Sequence, residues 1–473
     1  MWIETIGAGQ EAAMWMPSLV DRAGPKYLRI ADAIAEDVYA GRLKVGERLP
    51  THRDLAWRLG VTVGTVSRAY AEAERRGLVA GEVGRGSFVK AGARSQATLD
   101  MPAVGGPQTI ELGVNRPPTH VIAPEYADAM RRIAGSNMLG ELINYQAHTG
   151  RWEHRAAGAQ WIRRRGIEVG PERVLVTSGA EHAITASLMA FSDPGDPILV
   201  EELTWSGVRA LSSLLRLSLR PVAMDEEGMT PEALEATARA SGARLLYTTP
   251  TLHNPTTKTM SVERRKAIAE ICRDLGITIV EDDIYGTIAE DPPPALSSYA
   301  PERSIYITAA SKAMAPSLRI GFAAMPSDRL GRFSSAARAT NWMAPPVMGQ
   351  IVADWIEDGT CDVLADRIRR ETKTRHAVAA RALEGLTWAS KPGCFHIWLE
   401  LPEPWRAQDV VAAARQRGLA MTSTELFVPG RSETPHAMRI TLTAAADAEE
   451  LERGLRLLVD LLRSDPDLSL AAA

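Results

Sequence analysis

The 473-residue sequence predicts an α/β protein, with an N-terminal winged helix-turn-helix followed by a body made of a large α/β domain and a small α+β domain. Three observations predict it. Two short helical patterns split by a glycine, "HRDLAWRLG" and "VTVGTVSRAYAEAERRGLV", run into the strand-like "AGEVGRGSFVK". Apolar, β-branched runs then alternate with helical ones: "RVLVTSG", "DPILVEE", "RLLYTTP", "GITIVEDD", "SIYITAASK" and "IGFAAMP". Beyond about Pro345 helices dominate, with the strands "CFHIWLELP" and "AMRITLT" among them.

At 45% hydrophobic and 24% charged residues, a chain of this length exceeds one ordinary core, so two or three domains are expected. The expected boundaries are 22–92 for the head, 93–108 for a linker rich in small residues, Gly and Pro, and 109–473 for the body. No apolar run reaches the roughly 18 residues of a membrane span. The N-terminus lacks the basic-then-apolar pattern of a signal peptide. Cys272, Cys361 and Cys394 lie far apart, which suggests neither a disulfide framework nor a metal site. A cytoplasmic protein without membrane contact is the expectation. The net charge of −4 conceals an asymmetry, because residues 42–94 hold 11 Lys+Arg against 5 Asp+Glu. A basic head on an acidic body implies a polyanion partner for the head alone.

In order along the head, Leu28, Ala31, Ile34, Ala35 and Val38 fall at helical spacing, and Gly41 supplies a stop. Thr51 is placed to cap the next helix, which carries Leu55, Ala56 and Leu59 and ends at Gly60. Thr62 is placed to cap the third. Such a pair sets its second helix in the major groove of duplex DNA, with the residues near that helix's N-terminus on base edges. Thr62, Thr65 and Ser67 lie there, and Arg53 opens the first helix of the pair. Arg68, Arg75 and Arg76 are phosphate candidates. Arg85 stands between glycines at the wing tip, where a backbone or groove can approach closely.

This head resembles the GntR-type winged helix-turn-helix through Gly46, Leu49-Pro50, Arg53, Leu55-Ala56, Gly60-Val61, Thr65-Val66, Gly77-Leu78 and Gly84-x-Gly86, over about residues 25–90. It departs from the pattern at Val63 and Ser67, where many such heads carry Arg.

In the body, Lys312 follows one apolar strand and Arg319 precedes the next, so two cations flank a turn inside apolar sequence and require partners. A lysine held at the carboxyl end of a strand in an open α/β sheet is placed to react with a carbonyl. In "VTSGAEHAI" a strand gives way to a helix near Gly179, where the amides of Gly179 and Ala180 can hold a phosphate. In "VEDDIYG" Asp282 is placed to keep a pyridine nitrogen protonated, and Tyr285 to hydrogen-bond a ring hydroxyl. Asn254 in "TTPTLHNPTT" is a second donor for that hydroxyl, and Trp205 in "EELTWSG" is placed to stack on the ring. Each alone also reads as a cap, a turn or a core residue. Their occurrence in this order at successive strand ends does not.

Together these residues resemble the fold-type I aminotransferases over about residues 109–455. The resemblance implies pyridoxal 5'-phosphate as cofactor, in an internal aldimine with Lys312. Asp282 would face the ring nitrogen, Asn254 and Tyr285 the ring oxygen, and Trp205 the ring face. Ser178, Gly179, Ala180, Ser311 and Arg319 would bind phosphate, and Tyr145 would reach the phosphate of a second subunit. Arg439 would clamp a substrate or effector carboxylate, and Asn115 would also contact the substrate or effector. Ala309, three before the lysine, replaces a phosphate-binding Ser common among relatives.

A GntR-type head on such a body resembles the MocR/GabR family of transcription regulators along nearly the whole chain. That resemblance implies a homodimer, head to tail, on duplex operator DNA, and a body that senses pyridoxal phosphate or an amine or amino-acid effector through aldimine exchange. The alternative is a working aminotransferase with an accessory DNA-binding head.

Overall fold

The structure, a computed structural model, describes residues 15–19, 25–39, 42–44, 46–75, 78–82, 86–89, 109–430 and 434–464. The chain divides into two compact units, Met1–Leu99 and Asp100–Ala473. The linker expected at 93–108 lies outside the described residues, as do Arg76 and Arg85.

In the first unit α1 (Lys26–Tyr39), α2 (His52–Leu59) and α3 (Val63–Arg75) precede a ribbon of β1 (Val79–Glu82) and β2 (Gly86–Val89). The caps form where the sequence places them. Thr51 Oγ1 accepts from the Asp54 amide at 3.2 Å, and Thr62 Oγ1 from the Thr65 amide at 3.2 Å. Gly60 ends α2 in the left-handed region at φ +60°, a conformation that disfavours any Cβ, and this sets the turn into α3. Ile30, Ile34, Leu55, Val66, Ala69 and Leu78 close the core of this unit. The ribbon is antiparallel, with Val79 opposite Val89.

The second unit begins with β3 (Ile110–Glu111). Its large sheet consists of β4 (Val174–Thr177), β5 (Pro197–Glu201), β6 (Ser218–Val222), β9 (Leu245–Thr248), β10 (Thr278–Asp282), β11 (Ser304–Ala309) and β12 (Gly321–Ala324). A side ribbon, β7 (Met224–Asp225) with β8 (Gly228–Met229), interrupts the series. The order across the sheet is β4-β12-β11-β10-β9-β5-β6. All neighbours are parallel except β12, which runs antiparallel to both β11 and β4. The strands are apolar along nearly their whole length because both faces are covered. Val176, Phe322 and Trp355 belong to one core cluster, and Ile198, Val280, Ile307 and Phe333 to another.

The small domain holds β13 (Trp388–Ala389), β14 (His396–Glu400), β15 (Leu419–Ala420) and β16 (Ala437–Thr441). The long helices Thr360–Ala382 and Ala448–Arg463 pack beside them. β13, β14 and β16 form an antiparallel sheet with Trp398 opposite Arg439. β3 pairs parallel with β15, Ile110 opposite Leu419, which ties the start of the body to the small domain. No helix among the described residues is long and apolar enough to cross a membrane.

Two expectations need correction. Lys312 is not at the end of its strand but three residues beyond β11, in the one-turn helix Ala310–Ala313. Arg319 is not enclosed by its apolar neighbours. Its side of the turn faces outward and the residue is exposed, while Leu318 and Ile320 on either side are buried.

Candidate functional site: a cofactor cleft in the body and a nucleic-acid face on the head

The site gathers at the carboxyl ends of β4, β9, β10 and β11. Three successive acids, Glu281, Asp282 and Asp283, end the β10 segment, and strand alternation sends them to opposite faces. Asp283 pairs with Arg165 at 2.7 Å and accepts from the Tyr306 hydroxyl at 2.9 Å. Glu281 lies 3.9 Å from Arg265 and accepts from the amides of Leu296 and Ser297. Asp282 takes the other face. Its Oδ2 accepts from the Tyr247 hydroxyl at 2.9 Å, and its Oδ1 is buried with no partner. Burial pushes this carboxyl up to about 6, against the Tyr247 hydrogen bond and the Lys312 charge, which pull it down.

Lys312 Nζ donates to the backbone carbonyl of Asn115 and lies 5.7 Å from the Tyr285 ring centroid. Burial, then the neighbouring Arg439 charge, lowers the amine to about 8, while Asp282 opposes the shift. Asn115 Nδ2 reaches the Tyr285 hydroxyl at 2.6 Å and His396 Nδ1 at 2.9 Å. Burial drives the Tyr285 phenol well above its ordinary range, so it keeps its proton. Arg439 is buried at the centre of β16. It donates to Asn254 Oδ1 at 2.8 Å and to the Gly113 carbonyl, and its guanidinium lies 4.9 Å from the Phe427 ring centroid. Burial lowers it to about 10, and among the described residues no carboxylate pairs with it.

At the end of β4, Gly179 holds φ +91° and caps the helix Ala180–Phe191. A Cβ there would come within 2.8 Å of the Arg319 guanidinium, which donates to the Ser178 carbonyl at 3.1 Å. The Ser178 amide donates to His182 Nδ1 at 3.0 Å, and the Ser178 hydroxyl accepts from Asn341. Free amides of a helix N-terminus and one guanidinium therefore surround the Gly179 turn. Ser311 stands beside Lys312 in the same helical turn. Trp205 caps the helix Ser206–Leu215 and packs on Gly207, where a Cβ would lie 2.1 Å from the indole. Tyr145 stands apart. It is 79% exposed and meets the Trp342 ring edge-on at 6.0 Å.

The structure thus joins Lys312, Asn115 and Tyr285 in one chain of contacts and Arg439 with Asn254 in a second, with Asp282 electrostatically coupled to Lys312. The sequence reading missed Tyr247, His396 and the carbonyl of Gly113. Tyr247 sits on β9 opposite Val280, two residues from Asp282 on the same face, a relation visible only once β9 and β10 are paired. A separate cavity of about 550 Å³, lined in part by Trp161, Arg164, Arg165, Cys361 and Arg369, holds none of Lys312, Asn115, Tyr285, Asp282, Asn254 and Arg439.

These residues fit pyridoxal 5'-phosphate. The unpartnered Asp282 Oδ1 is an acceptor for a protonated ring nitrogen, and the Gly179 turn with Arg319 suits a phosphate. When bound, the cofactor supplies an aldehyde for amines and an electron-withdrawing ring. Tyr285 and Asn254 Nδ2 would donate to its ring oxygen, and Lys312 supplies the amine.

On the head, Thr62, Thr65 and Arg68 line a cleft of about 380 Å³ with Lys26, Tyr27 and Gly64, and among the described residues no acid lines it. Arg53 is exposed on α2. Ser67 Oγ lies 3.0 Å from His52 Nδ1.

Comparison with known proteins agrees with both halves. Residues 26–89 match the bacterial regulatory proteins of the gntR family, and residues 107–458 match aminotransferase class I and II. The chain is 31% identical over 449 residues to the uncharacterized HTH-type transcriptional regulator YdeF of Bacillus subtilis, covering 95% of this chain and 96% of that protein. It is 28% identical over 433 residues to the vitamin B6 salvage pathway transcriptional repressor PtsJ of Salmonella typhimurium, covering 89% and 95%. The solved structure of the α-aminoadipate aminotransferase LysN of Thermus thermophilus, complexed with N-(5'-phosphopyridoxyl)-L-leucine, superposes with a TM-score of 0.70 at 25% identity, covering 78% of this chain and 94% of that one.

Fold and site therefore define a GntR-type DNA-binding head joined to a pyridoxal phosphate-binding body of the fold-type I aminotransferase class. The chain belongs to the MocR/GabR-type transcription regulators.

Proposed function

We propose that the body is a sensor for an amine or amino acid and that its occupancy sets the affinity of the head for operator DNA. The effector amine competes with Lys312 for the cofactor, and an effector carboxylate seats on Arg439. The observation that carries this reading is Arg439 itself. A buried guanidinium with only neutral partners among the described residues, and with Nε unbonded, is costly until an anion arrives. The site lies where β3 and the segment to Asn115 meet the small domain, so a carboxylate on Arg439 bears on both. We also propose a homodimer. In its support, Ile143, Tyr145 and Trp342 expose 72%, 79% and 49% of their surfaces on the body.

The test uses the full-length protein loaded with pyridoxal phosphate, a panel of amines and amino acids, and two readouts: the cofactor's visible absorption and affinity for duplexes selected from a random pool. The expected result is one or more compounds that shift both, with DNA affinity changing roughly 5–150-fold and Arg439→Ala blunting the response. Rapid multiple turnover with a keto-acid acceptor, with DNA affinity indifferent to the compound, overturns the reading in favour of an aminotransferase.

A further inference from the structure

The first turn of α3 presents an apolar side chain where a base reader is expected. Val63 is the first residue of the helix and is 44% exposed. The polar groups around it are already engaged with one another. The Thr62 and Thr65 hydroxyls lie 2.9 Å apart, and Thr62 also caps the helix. The Ser67 hydroxyl, one turn on, is held by His52, whose ring stands edge-on to Tyr70 at 4.8 Å. Among the described residues an added Cβ at Gly64 would meet only Thr62 Oγ1, at 3.8 Å, so a groove wall can come close to the backbone there. The cationic cleft of Lys26, Tyr27, Thr62, Thr65 and Arg68 suits a backbone phosphate. Val63 belongs to the same turn but does not line that cleft. A phosphate in the cleft would bring this turn against the duplex with the isopropyl group of Val63 free to face the groove.

The geometry points to Val63 as a specificity-determining residue that reads the 5-methyl group of a thymine in the major groove of each half-site. An aliphatic side chain offers base edges no hydrogen bond. In the major groove the thymine methyl is the one apolar feature that tells base pairs apart. Contact between the two buries both from water, an attraction that cytosine or uracil at the same place would lack. This inference rests on the head's binding to duplex DNA.

The experiment starts with selection from a random duplex pool by the full-length, cofactor-loaded protein. Each thymidine of the enriched half-site is then replaced in turn by deoxyuridine, which removes only the methyl group. At one position the wild-type protein is expected to lose about three- to fivefold in affinity per half-site. Val63→Ala is expected to bind the thymidine and deoxyuridine duplexes equally at that position, and Val63→Arg to prefer guanine there. The inference is overturned if no deoxyuridine replacement weakens binding, or if Val63→Ala keeps the same penalty. Because the first comparison alters only the DNA, a poorly folded variant cannot hide the answer. A selection that enriches no sequence would instead sink sequence-specific binding by the head, and this inference with it.

Discussion

At the residue scale the chemistry turns on two shifted groups. Lys312 is lowered to about 8 by burial and by Arg439, so its neutral fraction grows about tenfold per pH unit up to that value and then levels off. The rate at which cofactor-free protein takes up pyridoxal phosphate covalently is therefore expected to rise with pH to a plateau near 8. A rise continuing toward 10.5, the ordinary lysine value, would show the amine to be unperturbed. Lys312→Ala is expected to abolish the covalent link, read as loss of the visible band and of mass after borohydride reduction. Asp282 is raised, to about 6, and must be ionised to hold a protonated ring. Cofactor retention is expected to fall as pH drops through 6. Tyr247→Phe removes a hydrogen bond that stabilises the carboxylate, so the midpoint should move upward. Equilibrium dialysis of both proteins from pH 5 to 8 checks the sign, and an unmoved or lowered midpoint would contradict it.

At the element scale the decisive feature is the alternation on β10. Glu281 and Asp283 are neutralised on one face by Arg265 and Arg165, which leaves Asp282 to act on the other. A one-residue slip in register would aim the wrong carboxylates at the cofactor. Arg165→Met leaves Asp283 buried without its cation and is expected to destabilise the body by about 3–5 kcal/mol. Denaturant unfolding of the cofactor-loaded protein measures this, and a loss under about 1 kcal/mol would show the pair to be replaceable. The element ends themselves were legible in the sequence. Thr51 and Thr62 as caps and Gly60 as a helix end follow from residue type and neighbours, and each takes that place; the helix expected to start near Gly179 begins at Ala180. Such features depend on a few adjacent residues, which is why local reading reaches them. The one-turn helix that carries Lys312 past its strand was not legible, because "AASKAM" has no signal separating a last strand residue from a first helical turn.

At the scale of the whole molecule, the basic excess over residues 42–94 in a chain of net charge −4 confines the attraction for polyanions to the head. If a dimer makes six or more phosphate contacts, affinity for duplex DNA is expected to fall by about a thousandfold or more between ~50 and ~200 mM salt. Filter binding across that range tests it, and a shallow dependence would mean that few phosphates are neutralised. Binding of an effector carboxylate at Arg439 is expected to keep its dependence on effector charge across the same salt range, since that guanidinium is buried and weakly screened.

The sequence by itself determined the two-part architecture and the strand and helix series, and it nominated a candidate site, because alternation, helical spacing, caps and the order of residues at strand ends are local properties of the chain. It also singled out Lys312, Asp282, Tyr285, Asn254 and Arg439, which the fold brings near one another through Asn115 and through mutual electrostatic effects. Only the tertiary structure decided what each of them touches. Asn115, Tyr285 and Lys312 are separated by up to 197 residues, yet the Asn115 backbone accepts from the lysine while its side chain holds the phenol. Tyr247 reaches Asp282 because β9 lies beside β10, and Arg439 lacks a carboxylate among the described residues because β16 sets it against Asn254 and Gly113. Hydrogen bonds and desolvation act over a few ångströms in space. The partners they select are fixed by strand pairing and domain packing, which residue spacing along the chain does not encode.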